Sequence, residues 1–402
     1  MSLNDTPRAA RVHIGFFGRK NSGKSSLINA VTGQDLAVVS PIGGTTTDPV
    51  YKSMELLPLG PVVVIDTPGL DDDGELGSLR VKKARQVMNK ADLALLVVDG
   101  TVGLNDDDRE LQALLTEKKI PFITVMTKAD LAQSAGESED ENVMWVSAKT
   151  SVGINGLKER LARLMPEDTD VQRLVGDLIS PFDFVVLVIP IDKSAPKGRL
   201  ILPQQQTIRD ILESGATAIT VRDTELKQTL ESLGSRPTLV ITDSQVFAKA
   251  NTDTPMDIPL TSFSILFARY KGDLETAVAG AAALDRIRDG DKILVAEGCT
   301  HHRQCEDIGT VKLPKLINRH TRKQLEYVFM SGSEYPEELS QFNLIAHCGG
   351  CMLNTREMKY RVAQAKDQGI PISNYGILIA HTQGILKRSV EIFPGMTDLL
   401  GS

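Results

Sequence analysis

All four cysteines of the chain lie in its C-terminal third: Cys299, Cys305, Cys348 and Cys351. Histidines sit among them, in Cys299-Thr-His301-His302 and in His347-Cys348-Gly-Gly-Cys351. A Cys-x-x-Cys pair facing a second Cys/His group across a long loop has the spacing of metal ligands. Near the other end, Gly18-Arg-Lys-Asn21-Ser22-Gly23-Lys24-Ser25-Ser26 has the spacing of a phosphate-binding loop between a strand and a helix. Its glycines let backbone N–H groups wrap phosphates, and the helix that follows points its N-terminus at them. One chain therefore combines nucleoside triphosphate chemistry with thiolate metal chemistry.

Four further segments follow the phosphate loop in order. Asp66-Thr-Pro-Gly69 ends a hydrophobic run, so Asp66 is placed to hold magnesium through water and Gly69 to sense a γ-phosphate. Between them, Gly44-Thr45-Thr46-Thr47-Asp48 supplies a threonine, Thr46, able to close over the metal. Thr127-Lys128-Ala-Asp130 ends a later run, with Asp130 positioned to pair with the N1 and N2 donors of guanine. Ser147-Ala148-Lys149 completes a base pocket. Each tetrapeptide alone reads as a turn after a strand; in this order and spacing they specify GTP with Mg2+. Lys24 then reaches the β/γ-phosphates, and Ser25 binds the metal.

The metal group has three readings. A free cysteine is often a small core hydrophobe, but that explains poorly a Cys-Gly-Gly-Cys at a strand end directly after a histidine. Structural zinc can draw on all four thiols, although Cys299-x5-Cys305 is wider than a usual zinc knuckle. A 4Fe–4S cluster on Cys299, Cys348 and Cys351 is the third, with one iron left open or weakly ligated. Spacing alone fits zinc and iron–sulfur alike.

These groups must be carried by regular elements. His13–Phe17, Val62–Ile65, Leu93–Val98 and Pro121–Met126 are nearly continuous apolar runs, as expected of a mostly parallel sheet covered on both faces. A polar linker, Glu167 to Asp177, precedes a second α/β series. It comprises strand Phe184–Ile189, helix Gln204–Glu213, strand Ala216–Val221, helix Thr224–Leu233 and strand Thr238–Thr242. After Asn251–Pro259 the alternation resumes with the apolar Ser262–Phe267 run and the Ala-rich helix Leu274–Arg286. Strands Lys292–Ala296 and Phe342–Ala346 lead straight into Cys299 and into His347-Cys348, and a helix is expected near Thr355–Lys366. Both cysteine groups thus fall beyond the carboxyl ends of strands, where open α/β sheets place ligands. The reading is α/β throughout, in three domains: 1–168, 172–262 and 263–402.

Bulk properties exclude other classes. The 402 residues are 41% hydrophobic and 24% charged, with a formal charge of -7. That balance argues against a general nucleic-acid or membrane-surface binder. Met1 to Arg11 is polar, and no apolar run approaches a bilayer span, so a cytoplasmic protein is expected.

The Gly-Thr-Thr-x-Asp and Asp-Thr-Pro-Gly segments resemble those of the TrmE–Era class of GTPases. That resemblance implies GTP hydrolysis with Mg2+ and gives Asn21 a role in holding a K+ ion, which stands in for an arginine finger. Thr127 stands where the class carries Asn, which predicts a weaker base or loop contact. Leu70 stands where Ras-like enzymes carry their catalytic Gln, which predicts slow intrinsic hydrolysis. As a whole, the layout Cys299-x-His301, a long gap, then His347-Cys348-x-x-Cys351 behind a GTPase resembles the family of maturation GTPases of iron–iron hydrogenases.

That family resemblance implies a GTPase domain, a middle dimerisation domain and a C-terminal cluster-binding domain, acting as a homodimeric scaffold. It also implies a 4Fe–4S cluster on Cys299, Cys348 and Cys351, and a diiron precursor with CO and cyanide. Two radical-SAM partner enzymes build the precursor, and apo iron–iron hydrogenase receives it. No Cys-x-x-x-Cys-x-x-Cys radical-SAM motif occurs in this chain. Asp192, His301, His302 and His347 are the candidate fourth ligands, and Cys305 falls outside the family pattern. The basic residues Lys193, Lys197 and Arg199 read as a solvated loop. The reading from a different class is a zinc-containing tRNA-modification or ribosome-assembly GTPase.

Overall fold

In a computed structural model, residues 6–34, 48–69, 75–132, 140, 142–165, 173–191, 200–298, 307–332 and 335–400 are described, 75–80 by backbone alone. Thr46, Leu70, Asp192, Lys193, Lys197, Arg199, Cys299, His301, His302 and Cys305 lie outside the described residues. The chain divides into two compact units, Met1–Asp170 and Val171–Ser402.

The first unit holds β1 (Val12–Phe17), β2 (Val50–Leu56), β3 (Gly60–Asp66), β4 (Leu93–Asp99), β5 (Phe122–Thr127) and β6 (Val143–Trp145). They form one sheet in the order β2-β3-β1-β4-β5-β6, and all pairs are parallel except β2–β3. Side chains of a strand alternate between faces, and here both faces are covered. Ile14, Phe16, Val62 and Val64 enter one core with helices Lys24–Thr32 and Ile154–Leu164. Phe17, Val63 and Ile65 enter the other, with Ala84, Val87 and Leu115 from helices Glu75–Met88 and Asp106–Glu117. This two-sided burial is why the strands read as unbroken apolar runs.

The second unit carries two four-stranded parallel sheets. The first is β7 (Phe184–Val188), β8 (Thr217–Val221), β9 (Leu239–Thr242) and β10 (Leu260–Ser262), ordered β10-β9-β7-β8. The second is β11 (Lys292–Glu297), β12 (Glu326–Ser331), β13 (Leu344–His347) and β14 (Ile372–Asn374), ordered β12-β11-β13-β14. A single hydrophobic cluster runs from Leu174 and Val185 beside the first sheet to Val295, Ala346 and Phe393 beside the second.

The Ser262–Phe267 run does not open another strand. Ser262 ends β10 and caps helix Phe263–Lys271, its hydroxyl accepting the Ile265 N–H at 3.3 Å. A buried helix is apolar on most of its surface, so its sequence passes for a strand. The next helix, Leu274–Ala282, lies so close to β14 that a Cβ at Gly280 would come within 2.0 Å of the Ile372 carbonyl oxygen.

Candidate nucleotide site and candidate metal centre

The phosphate loop leaves the end of β1 and enters helix Lys24–Thr32. Gly18 has φ +144° and no room for a side chain, since a Cβ would lie 2.2 Å from the Val97 carbonyl oxygen. Asn21 sits exposed in the loop at φ 62°, a left-handed conformation that Asn tolerates better than most residues. Lys24 is buried and donates to the Gly18 and Arg19 carbonyls at 2.8 and 2.6 Å, which pins its ammonium inside the loop. The Ser22 hydroxyl oxygen is buried with no hydrogen-bond partner among the described residues, and Ser26 lies in the first turn of the helix. Backbone at Gly69 presses against the same loop: a Cβ there would meet the Lys20 nitrogen at 2.8 Å. Only glycine allows that approach.

Ser25 Oγ stands 3.5 Å from Asp66 Oδ2. Burial pushes the Asp66 carboxyl up, and the Lys24 charge and the Ser25 hydroxyl oppose that rise. A hydroxyl and a carboxylate on adjoining elements form a hard oxygen donor set, which fits Mg2+. On the base side, Asp130 is exposed and its Oδ1 accepts from the Ser147 hydroxyl at 2.7 Å. Ser147 Oγ in turn accepts the Thr150 N–H at 3.2 Å, and the Ala129 N–H reaches the Val146 carbonyl at 3.1 Å. The 127–130 and 147–150 segments, including Ala148 and Lys149, are thereby stitched into one pocket wall. Lys128, at φ 56°, is paired with Asp99 at 2.5 Å.

Thr127, which stands where the class carries Asn, still reaches the phosphate loop. Its hydroxyl lies 2.7 Å from the Ser22 carbonyl and 3.1 Å from that of Val98. One hydroxyl proton serves one of them at a time, and the shorter contact reaches the phosphate loop itself. A second tie escaped the motif reading. Arg19 forms an ion pair at 3.0 Å with the fully buried Asp108, itself held in a capping box with Asn105 at the start of helix Asp106–Glu117. The run Asp106-Asp107-Asp108 reads as a helix start, and nothing in it singles out the member that turns inward.

The second site lies at the carboxyl ends of β11 and β13, which are neighbours with Ala296 opposite His347. The Cys348 N–H donates to the Ala296 carbonyl at 2.8 Å. Cys348 Sγ accepts the N–H of Gly298, the residue before Cys299, at 3.1 Å, and that of Gly350 at 3.4 Å. Backbone N–H groups aimed at a sulfur stabilise its thiolate form, the form that binds metal. Cys351 is half-buried, and burial pushes its thiol up while the Lys271 charge pulls it down.

Lys271 was not visible from the motifs. It is 3% exposed, at the end of helix Phe263–Lys271. Its ammonium donates to the carbonyls of Leu353, Cys351 and Gly350 at 3.0, 3.3 and 3.4 Å. Burial lowers its pKa to about 8, and the two thiol groups work against that fall. A buried cation is thus set beneath the thiol loop, ready to offset negative charge gathered there.

His347 is fully buried, and both its ring nitrogens are engaged. Nδ1 faces the Cys348 carbonyl at 2.7 Å and Nε2 faces Arg361 Nη1 at 3.0 Å. Because arginine only donates, Nε2 is the acceptor and Nδ1 carries the proton. Burial and the Arg361 charge hold the imidazole neutral, its pKa lowered to about 3. Arg361 is tied in turn to Glu357 at 2.8 Å and to the Gly332 carbonyl at 3.2 Å. As arranged, the His347 lone pair supports Arg361, and ligation of iron requires breaking that contact.

Residues 174–272 match the family model described as the hydrogen maturase F dimerization domain, and residues 275–392 the one described as its tetramerization domain. Together they cover more than half of the chain. The chain belongs to the hydrogen maturase F family. Residues 13–128 match the 50S ribosome-binding GTPase model, which gives this family member its GTPase domain. In family terms, Cys348 and Cys351 lie in the tetramerization-domain match, whereas Lys271, which reaches their loop, lies in the dimerization-domain match.

Two tRNA modification GTPases match over little more than a third of this chain. The tRNA modification GTPase MnmE of Dechloromonas aromatica is 36% identical over 157 residues, 38% of this chain and 35% of that protein. MnmE of a Roseiflexus species is 40% identical over 163 residues, 37% of this chain and 35% of that protein. The chain thus spans about a third of the length of these relatives. Among solved structures, Era of Aquifex aeolicus bound to GDP and aluminium fluoride matches with a TM-score of 0.35 and 21% identity, over 52% of this chain and 92% of Era.

The donor set at the second site fits a thiolate cluster: two thiols on one loop, N–H groups on a sulfur and a buried cation below. Among the described residues no helix is long and apolar enough to cross a membrane.

Proposed function

We propose that this protein hydrolyses GTP with Mg2+ and acts as a cytoplasmic scaffold that binds a 4Fe–4S cluster and passes a diiron precursor, carrying CO and cyanide, to apo iron–iron hydrogenase. Its domains are 1–168, 172–262 and 263–402, and it works as a homodimer served by radical-SAM maturation enzymes. The observation that supports the cluster assignment is the Gly298 N–H on Cys348 Sγ: it sets the last described residue before Cys299 in the sequence against the Cys348–Cys351 loop. Cys299, Cys348 and Cys351 hold the cluster, and Asp192 or His301 supplies the exchangeable fourth position. His347, already engaged with Arg361, ranks behind them. A bound cluster supplies an iron site at which a precursor can be held and released.

In the GTPase domain, Lys24 and the loop N–H groups hold the phosphates, Ser25, Thr46 and Asp66 serve Mg2+, and Gly69 reports the γ-phosphate through its backbone. Asn21, exposed in the loop, holds K+ against the charge that develops on the transferred phosphoryl group. Equal GTPase rates in K+ and Na+ would remove that role.

Anaerobic reconstitution with iron and sulfide tests the scaffold reading. The expected result is a brown protein with a 4Fe–4S EPR signal on reduction, reduced to background in Cys348→Ser. After loading with diiron precursor it should restore activity to apo-hydrogenase. Stoichiometric zinc with no iron uptake would instead support a zinc-containing GTPase, and an iron-loaded protein that never activates hydrogenase would end the delivery claim.

A further inference from the structure

Three ligand-type side chains meet on the surface of the second unit without any part in the thiol loop. Asp285 lies in the 3-10 turn Ala283–Arg286, His320 in the last turn of helix Leu313–Thr321, and His381 in the last turn of helix Tyr375–Thr382. His320 Nε2 and His381 Nε2 stand 3.0 and 3.2 Å from one atom, Asp285 Oδ1. The two rings are 5.3 Å apart at 60°, and the three ligand atoms all lie within 4.8 Å of one another.

This spacing is close to that of a metal polyhedron. With Zn–N and Zn–O bonds of ~2.0–2.1 Å, ligand atoms of a tetrahedral site sit roughly 3.3–3.4 Å apart. The two oxygen–nitrogen separations need open by only a few tenths of an ångström for an ion to replace the two bridging protons. The electrostatics agree. Both histidines sit at helix carboxyl ends, where unpaired carbonyls carry partial negative charge and favour a cation.

We propose that Asp285, His320 and His381 form a second metal site, which binds one divalent first-row transition ion, zinc by geometry, and leaves a fourth position open to water or a small anion. Two imidazoles and one carboxylate suit such ions and not Mg2+ or Ca2+, which prefer all-oxygen sets. The ion ties together three segments distant in sequence, since His320 is 35 and His381 is 96 residues from Asp285. The site is independent of the cluster assignment.

Calorimetric titration of the full chain with Zn2+ tests this, comparing wild type with His320→Ala, His381→Ala and Asp285→Asn. The thiols can take zinc in every one of these proteins, so the site is read as a difference. Wild type should bind one more equivalent than each variant, or bind that equivalent at least about tenfold more tightly, the loss expected even for outer-layer partners of a metal ligand. Zn2+ should also raise the melting temperature of wild type more than that of His320→Ala, whose exposed position makes misfolding an unsuitable explanation. With Co2+, the wild-type-minus-variant spectrum should show d–d bands and no sulfur charge transfer. Identical stoichiometry and affinity in wild type and in both histidine variants would overturn the proposal, as would a Co2+ difference spectrum dominated by thiolate bands.

Discussion

The phosphate loop and the thiol loop are built alike. Each follows the carboxyl end of a parallel strand, and in each a buried lysine donates to the carbonyls of the loop. Lys24 holds Gly18 and Arg19, while Lys271 holds Gly350, Cys351 and Leu353. The difference is where the lysine comes from. Lys24 is five and six residues from the carbonyls it binds, and Lys271 is 79 to 82 residues away on another helix. A local lysine belongs to a motif and can serve a moving substrate. One brought in by tertiary packing ties its loop to a distant helix.

The largest effect should therefore come from Lys24. Lys24→Ala removes the ammonium proposed to meet the phosphates, and loss of one preorganised charge donor costs about 10²–10³ in rate. GTP turnover should fall by that factor while iron content after reconstitution stays near wild type. A parallel loss of iron would show that the two loops are not separable.

Lys271→Met is the matched test at the other loop. It leaves three carbonyls without their buried donor, and an unsatisfied buried group costs ~1–3 kcal/mol. Guanidinium unfolding should show a loss of that size, and the reconstituted cluster should be harder to reduce and quicker to lose iron. Lys271→Arg should recover most of both, and GTP turnover should not change. Wild-type potential and iron retention in Lys271→Met would reduce Lys271 to a packing residue.

His347 sharpens the comparison from the ligand side. If it holds Arg361 in place, as the 3.0 Å contact suggests, His347→Gln should keep iron content at or near wild type and lose only stability, by about 1–3 kcal/mol. Loss of the cluster in that variant, measured as iron per chain, would move His347 back among the ligands.

What the sequence disclosed follows the same division between local and non-local. The central strands of the first sheet were legible because burial on both faces makes them continuous apolar runs. The antiparallel edge strand β2 was not, because Val50–Leu56 is mostly exposed and mixes polar with apolar residues. Among the described residues, the segments at 18–26, 66–69, 127–130 and 147–149 were legible as short spacings, and the Cys348–Cys351 group as a strand end. Ser262–Phe267 misled because a buried helix and a buried strand share a composition. The Asp285, His320 and His381 cluster and the Arg361–His347 contact were hidden for another reason. Each joins residues whose separation carries no pattern, and only the packing of helices onto a sheet makes them neighbours.

The smallest effect tests how far a motif tolerates a change of residue. Thr127 replaces the expected Asn, yet its hydroxyl reaches the Ser22 carbonyl at 2.7 Å, so the tie from base pocket to phosphate loop survives with a shorter side chain. Thr127→Val keeps the shape and removes that bond. Net hydrogen bonds are worth ~0.5–1.5 kcal/mol, so GTP affinity should weaken by roughly two- to twelve-fold with little change in the chemical step. Thr127→Asn should bind at least as tightly as wild type if the longer side chain can reach the same carbonyl. Unchanged affinity in Thr127→Val would mean that the phosphate loop is held by its own geometry, with Lys24 on the Gly18 and Arg19 carbonyls, and not by the threonine beside it.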